Sequence, residues 1–253
     1  ILTGCLLKTD HRKFEKIVDE IWPQPKLNIE PKCQKATSAL LPIMTGCNNF
    51  CTYCAVPYTR GREYSRPASE IKKDFKKLVK KGYQEITLLG QNVNSYQGKN
   101  KDFPDLLKDL SETKGNFQIK FLTSHPKDMS DKLIDLIAES PKISKEIHLP
   151  AQAGDNTILK KMNRSYTIGH YKKLIQKIKR KIPHTTLTTD IIVGFPGETE
   201  KQFQNTVKLV QEIGFKQIFV ARYSPRIGTA AAQLKDNISY QEKKRRWQII
   251  NQF

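Results

Sequence analysis

The chain alternates short apolar runs with Lys-rich amphipathic segments from residue 39 onward, and this alternation limits the folds that it can adopt. Apolar runs of this length are typical of buried strands, and the longer segments between them have helical periodicity. The predicted strands cover residues 40–44, 85–89, 118–123, 146–149, 186–193 and 217–221. The predicted helices cover residues 68–81, 103–113, 131–140, 156–161, 168–182 and 200–213. The pattern predicts an α/β fold with a parallel sheet, whose functional residues gather where the strands end.

Three cysteines lie directly after the first predicted strand. Cys47, Cys51 and Cys54 place three thiolates within eight residues, a spacing that can surround one metal centre. Thiolate ligands favour zinc, copper(I) or an iron–sulfur cluster. A zinc finger normally has a second pair of ligands close by, but no Cys or His follows Cys54 before His125. We therefore interpret the three cysteines as a complete set, which in a four-iron cubane leaves one iron open to a substrate or cofactor.

Two other interpretations of the cysteines stay open on the sequence alone. A disulfide framework is disfavoured because five cysteines in 253 residues are few and odd in number. A four-thiolate zinc site that includes Cys33 is the stronger alternative. Against it, Cys33 lies in a polar, Lys-flanked segment fourteen residues before Cys47.

The composition indicates a basic chain without a candidate membrane span. No apolar run approaches the ~20 residues that a spanning helix needs, and the mean hydropathy is −0.58. Cysteines that stay reduced predict a cytoplasmic location. The net charge of +19 favours the approach of a polyanion such as RNA. Because 34 of the 44 basic residues are Lys, a general lysine bias explains this charge equally well.

Several sequence stretches besides the cysteine spacing point to one enzyme family. After Cys54 the chain continues as AVPYTRGR, and SRP follows at residues 65–67. Further matches occur at residues 88–96 (LLGQNVNSY), 123–126 (TSHP), 148–154 (HLPAQAG), 162–164 (MNR) and 194–199 (GFPGET). From Cys5 onward, the chain resembles the radical S-adenosylmethionine (SAM) methylthiotransferases. The QNVN stretch at residues 91–94 favours the tRNA-modifying branch, known as the MiaB type.

This resemblance implies a TIM-like, partial (β/α)6 barrel of the radical SAM type over residues 39–238. It also implies that Cys47, Cys51 and Cys54 hold a [4Fe–4S] cluster whose open iron is chelated by SAM. Reduction of that cluster cleaves SAM to methionine and a 5′-deoxyadenosyl radical. Tyr53 is expected to pack against the adenine of SAM. The other implied cofactor contacts are Gly90, Gln91, Ser124, His125, Gln152, Arg164 and Asp190.

Some of these residues also have a purely structural interpretation. His125 precedes a proline, so its side chain could cap a turn. Asp190 lies in an otherwise apolar predicted strand, where its carboxylate needs a partner that could be a structural Arg or Lys. His148 alternates with apolar neighbours, and we interpret it as a structural strand residue.

A basic segment follows the cysteine loop. Arg60, Arg62 and Arg66 place three guanidinium groups within seven residues. The planar guanidinium suits carboxylates and phosphates, so the segment is a candidate contact for the cofactor or the RNA backbone. Surface salt bridges are an equally good interpretation.

The two ends of the chain resemble parts of larger domains. Cys5 resembles the third of three cysteines that hold an auxiliary [4Fe–4S] cluster in the family's N-terminal domain. Residues 1–38 are therefore expected to be the end of that domain plus a linker, and the chain to be a fragment. Residues 239–253 are predicted as a helix that leads to a missing RNA-binding TRAM domain. Cys33 has no family counterpart, and we interpret it as incidental.

The resemblance implies a tRNA methylthiotransferase that converts N6-isopentenyladenosine beside the anticodon to its 2-methylthio derivative. The implied partners are the tRNA anticodon loop, SAM and an electron donor such as flavodoxin. The alternatives are a methylthiotransferase for threonylcarbamoyladenosine in tRNA or for a ribosomal-protein aspartate, and a non-catalytic, zinc-bound RNA-binding module.

Overall fold

The computed structural model describes the backbone of residues 32–35 and all atoms of residues 37–253. Its strands are β1 Lys32–Lys35, β2 Ser38–Pro42, β3 Met44–Thr45, β4 Tyr64–Ser65, β5 Glu85–Leu89, β6 Gln118–Phe121, β7 Glu146–His148, β8 Thr186–Val193 and β9 Gln217–Arg222. Its α-helices are α1 Val56–Thr59, α2 Ala68–Lys80, α3 Phe103–Ser111, α4 Asp131–Glu139, α5 Asn156–Lys161, α6 Ile168–Lys181, α7 Glu200–Ile213 and α8 Tyr240–Ile250. Short 3₁₀ helices occupy Val93–Ser95, Pro126–Asp128 and Ala230–Gln233.

Six parallel strands form an open barrel wall in chain order. Strands β2, β5 and β6 pair in parallel, as do β7, β8 and β9, and β1 adds an antiparallel strand beside β2. The two halves join because Ile119 donates its N–H to Lys142 O at 2.8 Å and accepts from Ser144 N at 2.9 Å. Among the described strands, no pairing joins β9 to β1 or β2, so the wall does not close. The predicted α/β class and partial (β/α)6 barrel are confirmed.

The first predicted strand was wrong at its C-terminal end. It was predicted over residues 40–44, but β2 ends at Pro42, and Met44–Thr45 leaves the sheet. Proline has no N–H to donate to a ladder, which favours an end of the strand there. Met44 and Thr45 pair instead with Ser65 and Tyr64 in an antiparallel hairpin. This hairpin frames the cysteine loop.

The helices cover the outer face of the wall, and every second residue of a strand is buried on that face. In β8, Leu187, Thr189, Ile191 and Val193 are buried, and the residues between them are more exposed. Helix α7 begins with a capping box between Thr199 and Gln202 and ends at Gly214, whose φ is +64°. These signals fix the length of the helix that connects β8 to β9.

The last helix packs on the barrel. Trp247 of α8 donates its indole N–H to Val220 O of β9 at 3.0 Å. Arg246 of α8 lies 2.8 Å from Glu198, in the loop after β8. Residues 239–253 are therefore built into the described fold. The predicted domain limits stay predictions, and residues 1–31 and residue 36 lie outside the described residues. No helix in the described part is long and apolar enough to cross a membrane.

Candidate functional site

The cysteine loop is a closed hairpin loop between β3 and β4. At its base, Cys47 donates its N–H to Gly61 O at 3.3 Å. Gly46 has a φ of +75°, and a Cβ there would lie 2.1 Å from Arg62 O. Only glycine therefore allows the two sides of the loop to approach this closely.

We expect Gly46→Ala to weaken iron binding and lower thermal stability, because the added methyl would push the base of the loop open. Gly61→Ala is the matched control: its φ is also positive, at +77°, but nothing lies within 4 Å of the new Cβ. That variant should cost only about 1–2 kcal/mol of backbone strain. Iron per chain after anaerobic reconstitution and the melting temperature measure the difference. Equal losses in both variants would show that the close approach is unimportant.

The segment after α5 anchors the cysteine loop from outside. Thr52 donates its N–H to Met162 O at 3.1 Å, and Asn163 Nδ2 donates to Phe50 O at 3.0 Å. Phe50 and Asn163 both have positive φ, at 47° and 56°. Such backbone persists only where surrounding contacts fix it. The MNR stretch at residues 162–164 thus has a structural role in holding the loop.

The three thiols face a cavity at the C-terminal end of the barrel strands. The cavity has a volume of about 180 Å³. It is lined by Cys47, Asn49, Cys51, Tyr53, Cys54, Val56, Gln91, Asn92, Thr123, Ser124, His125, His148, Pro150, Gln152, Arg164 and Asp190. Burial raises the pKa of the Cys47 thiol. We call this space the cysteine cavity.

Seven of the eight predicted cofactor contacts line the cysteine cavity: Tyr53, Gln91, Ser124, His125, Gln152, Arg164 and Asp190. Gln91, Ser124, His125 and Gln152 follow the ends of β5, β6 and β7, which the parallel topology brings together. Tyr53 comes from the cysteine loop, Arg164 from the segment after α5 and Asp190 from β8 itself. The eighth, Gly90, packs against Met44, and a Cβ at Gly90 would lie 2.3 Å from Met44 Cγ. Gly90 is therefore not part of the cavity lining, and its missing side chain allows Met44 to pack closely.

Arg164 is a buried cation directly beside the thiols. Its Nη1 lies 3.4 Å from Cys51 Sγ, and its Nε donates to the Tyr166 hydroxyl at 3.0 Å. A third contact runs from Nη2 to Pro150 O at 3.3 Å. These contacts fix the guanidinium where it can stabilise a thiolate.

His125 is held neutral. Burial, together with the charges of Arg164 and Lys127, lowers its pKa to about 2. Its Nδ1 accepts a hydrogen bond from Lys127 N at 3.2 Å, so the neutral ring carries its proton on Nε2. The side chain caps the 3₁₀ helix that follows, as the structural interpretation predicted, and it also lines the cysteine cavity.

The partner of Asp190 is a histidine. The sequence left the partner open as a structural Arg or Lys or a bound ligand, and in the structure Asp190 Oδ2 lies 3.3 Å from His148 Nε2. The other ring nitrogen of His148 lies 2.9 Å from Thr188 Oγ1. His148, predicted to be a structural strand residue, also lines the cysteine cavity. His148 is a polar residue between apolar Ile147 and Leu149, and successive strand residues point to opposite faces of a sheet. This alternation could have identified His148 as a residue that faces the barrel interior.

Unpartnered polar atoms concentrate around this cavity. Among residues 37–253, seven buried side-chain polar atoms have no hydrogen-bond partner. Four of them belong to residues of the cavity lining: Gln91 Oε1, Asn92 Oδ1, Ser124 Oγ and Gln152 Oε1. Gln152 also has a φ of +67°, which is costly for a residue with a side chain. Buried groups without partners are costly, so their concentration here indicates a ligand site.

Two of the three arginines after the cysteine loop, Arg66 and Arg62, make different structural contacts. Arg66 is buried, and its guanidinium binds Asp74 and Pro42 O, each at 2.7 Å. This residue is therefore structural, not a contact for cofactor or RNA. Arg62 lies over the Phe50 ring at 4.4 Å and supports the cysteine loop.

The described residues contain no group of three His, Cys, Asp or Glu side chains placed to hold a single metal ion. The three cysteines instead surround one side of a cavity together with polar residues from five other segments. Three thiolates from one loop are a suitable donor set for an iron–sulfur cluster. The residues present therefore fit the cluster that the resemblance implies.

Comparison with known families identifies the superfamily. The family model described as "Radical SAM superfamily" matches residues 41–210, which contain the end of β2, the cysteine loop and the four parallel strands β5, β6, β7 and β8. This chain belongs to the radical SAM superfamily. Membership supports a [4Fe–4S] cluster and SAM as its cofactors, and it accounts for the cysteine cavity at the mouth of the open barrel.

Curated relatives confirm the resemblance to the MiaB-type enzymes. The chain is 48% identical over 240 residues to a tRNA-2-methylthio-N6-dimethylallyladenosine synthase from Syntrophomonas wolfei, covering 92% of the chain and 54% of that protein. The synthase of the same name from Carboxydothermus hydrogenoformans is 46% identical, with 97% and 57% covered. One from Clostridium botulinum is 50% identical, with 85% and 48% covered. The chain spans about half the length of these relatives.

Solved structures share the fold at low sequence identity. A radical SAM methyltransferase from Kitasatospora setae, solved with cobalamin and a [4Fe-4S] cluster, matches with a TM-score of 0.63 and 15% identity, covering 76% of this chain and 38% of its own. SuiB of Streptococcus suis, solved with SAM, matches at 0.57 and 15% identity, covering 83% and 45%. These neighbours support the open α/β barrel.

Proposed function

We propose that Cys47, Cys51 and Cys54 hold a [4Fe–4S] cluster and that SAM binds beside it in the cysteine cavity. When bound, this pair supplies a radical able to attack an unactivated C–H bond. The observation that carries the proposal is the convergence of three thiols with four unpartnered buried polar atoms. Three of those atoms are amide oxygens, which accept hydrogen bonds. They suit the ammonium, amino and hydroxyl donors of SAM.

The other cavity residues would orient the cofactor. Arg164 would stabilise the Cys51 thiolate, which its Nη1 already contacts. His125 would offer an Nε2–H donor that stays neutral over the physiological pH range, because its pKa is lowered to about 2. Tyr53 would pack against the adenine of SAM. Residues fixed in advance by packing lose little entropy when a ligand binds.

We further propose that the protein is a tRNA methylthiotransferase acting on N6-isopentenyladenosine beside the anticodon. The support is the 46–50% identity to three synthases of that name, together with the cysteine cavity and the basic charge of the chain. The target C–H bond has no acidic proton and no leaving group, which is why a radical is needed. The base must leave the anticodon stack to reach the barrel mouth.

Three finer assignments remain part of this proposal. An auxiliary [4Fe–4S] cluster would use Cys5, which lies outside the described residues. The electron donor would be a flavodoxin-like protein, and the location would be cytoplasmic. The first two follow from the resemblance to the MiaB type, and the last follows from cysteines that are expected to stay reduced.

Deletion of the gene should remove 2-methylthio-N6-isopentenyladenosine from total tRNA and leave its N6-isopentenyladenosine precursor in its place. Mass spectrometry of digested tRNA measures both nucleosides, and complementation with the intact gene is the control. Loss of the methylthio form of threonylcarbamoyladenosine instead would assign the alternative tRNA substrate. An unchanged tRNA nucleoside profile would refute the tRNA activity.

A further inference from the structure

A second cavity lies behind the cysteine loop. It has a volume of about 490 Å³, and its lining includes Thr52, Lys161, Gly197, Leu234, Lys235 and Asn237. It shares no lining residue with the cysteine cavity. It is therefore separate from the space in which SAM and its substrate would meet. We call this second space the rear cavity.

The cysteine loop forms a wall between the two cavities. Thr52 lines the rear cavity, whereas its neighbours Cys51 and Tyr53 line the cysteine cavity. The segments around the rear cavity are bonded to Thr52 itself. Its hydroxyl donates to Lys161 O at 2.8 Å, and its carbonyl oxygen accepts from Ala231 N at 2.8 Å. A cluster held by the cysteines would therefore lie directly behind this wall.

The rear cavity carries unpaired positive charge. Lys161 and Lys235 line it, and neither forms an ion pair with a carboxylate among residues 37–253. The carboxylate of Asp236, next to Lys235 in the chain, is already paired with the buried Lys243. Cations that are left without carboxylates attract and orient an acidic partner.

Apolar side chains complete the rear cavity. Pro196, Ala230 and Leu234 line it, and Leu234 is 44% exposed. Apolar contact area with charged residues near it is typical of protein–protein interfaces. A phosphate backbone would use the two lysines but would gain nothing from the exposed leucine. The combination therefore favours an acidic protein over RNA.

The proposed reaction needs an electron donor that reaches the cluster from outside the barrel mouth. SAM and its substrate would occupy the mouth when the electron arrives. Electron transfer between proteins weakens steeply with distance, so the donor must come close to the cysteine loop from another side. The rear cavity offers this approach, because Thr52 belongs both to its wall and to the cysteine loop.

We propose that the rear cavity is the docking face for the one-electron donor, an acidic carrier protein, whose carboxylates meet Lys161 and Lys235 and whose apolar surface covers Leu234. The inference rests on the proposed function and locates one of its partners on the fold. In each encounter the donor loses one electron and the cluster gains it. No bond forms or breaks at this face.

Charge reversal at Lys235 tests the docking face with two reductants, reduced flavodoxin and dithionite. In Lys235→Glu, 5′-deoxyadenosine formation driven by flavodoxin should fall about tenfold at low salt, because a rim charge mainly changes the rate of association. The loss should shrink as salt screens the charges. The dithionite-driven rate should not change, since a small reductant needs no docking face. Surface plasmon resonance should show a weaker Kd for flavodoxin.

Lys114→Glu is the matched control. Lys114 is also exposed and has no ion pair among residues 37–253, but it follows α3 and lies outside the rear cavity. This variant has the same net charge as Lys235→Glu. It should keep the wild-type Kd for flavodoxin and the wild-type rate with both reductants.

Several results would overturn the inference: an unchanged Kd and rate with flavodoxin in Lys235→Glu, an equal loss in Lys114→Glu, or an equal fall with both reductants. Weaker binding of an anticodon stem-loop with an unchanged Kd for flavodoxin would assign the face to RNA instead. The proposed function fails separately. If the wild type forms no 5′-deoxyadenosine with dithionite, the function is refuted, while flavodoxin binding that depends on Lys235 still supports the docking face.

Discussion

Cys51→Ala should abolish formation of 5′-deoxyadenosine from SAM. Cys51 is one of three thiols on the loop, and Arg164 Nη1 lies 3.4 Å from its sulfur. A cubane that has lost one of three protein ligands cannot keep its open iron facing the cofactor site. Anaerobic reconstitution with iron and sulfide, followed by chromatographic assay of 5′-deoxyadenosine after reduction, measures the loss. Retained production in this variant would disprove the cluster assignment.

Cys33→Ala is the matched control for this experiment. Cys33 lies outside the three-cysteine spacing and is predicted to be incidental. Iron content and 5′-deoxyadenosine formation should therefore stay at wild-type levels. The control also tests the zinc alternative. A protein that binds one zinc per chain, loses it in both variants and cleaves no SAM would be a four-thiolate zinc module.

Arg246→Ala should destabilise the protein by about 3–5 kcal/mol, because it leaves a carboxylate buried without its cation. The side chains of Arg246 and Glu198 are 6% and 1% exposed, and Arg246 Nη1 lies 2.8 Å from Glu198 Oε2. The same carboxylate oxygen accepts from Gly194 N at 2.7 Å. The pair therefore fixes α8 to the loop after β8. Urea unfolding measures the change in free energy.

Arg245→Ala is the neighbouring control. Arg245 forms ion pairs with Glu200 and Glu242, but its side chain is 46% exposed, so its loss should cost no more than about 1 kcal/mol. Similar losses in both variants would show that burial of the Arg246 pair is unimportant. Replacement of both Arg246 and Glu198 by Met should cost less than Arg246→Ala alone, because no charge is left buried.

The cost of Arg246→Ala should also depend on pH. Burial already raises the pKa of Glu198 despite its bonds to Gly194 N and Arg246. Removing the cation raises this pKa further. When the pKa of a carboxyl is higher in the folded than in the unfolded protein, the folded protein becomes less stable as the pH rises from the unfolded to the folded pKa. The difference in unfolding free energy between wild type and variant should therefore shrink as pH is lowered from neutral toward the unfolded pKa of Glu. A difference that does not change with pH would contradict an ionised Glu198 as its cause.

The sequence predicted the order of the barrel units because each depends on local signals. The strands Glu85–Leu89 and Thr186–Val193 and the helix Glu200–Ile213 have the predicted bounds. Their hydrophobic period, caps and glycines act within a few residues. Two strand ends were predicted wrongly: Met44 and Thr45 leave the sheet to pair with Ser65 and Tyr64, and the third strand ends at Phe121 instead of residue 123.

The sequence alone determined the barrel units and the three thiols. It also determined the strand ends at which the motif residues meet, because parallel strands bring their C-terminal ends to the same edge of the sheet. Only the tertiary structure decided which polar groups became partners. It paired Asp190 with His148, gave Arg66 a structural role and seated Arg246 on Glu198. These contacts join residues far apart in the chain, and their distances depend on how strands and helices pack, which no local pattern specifies.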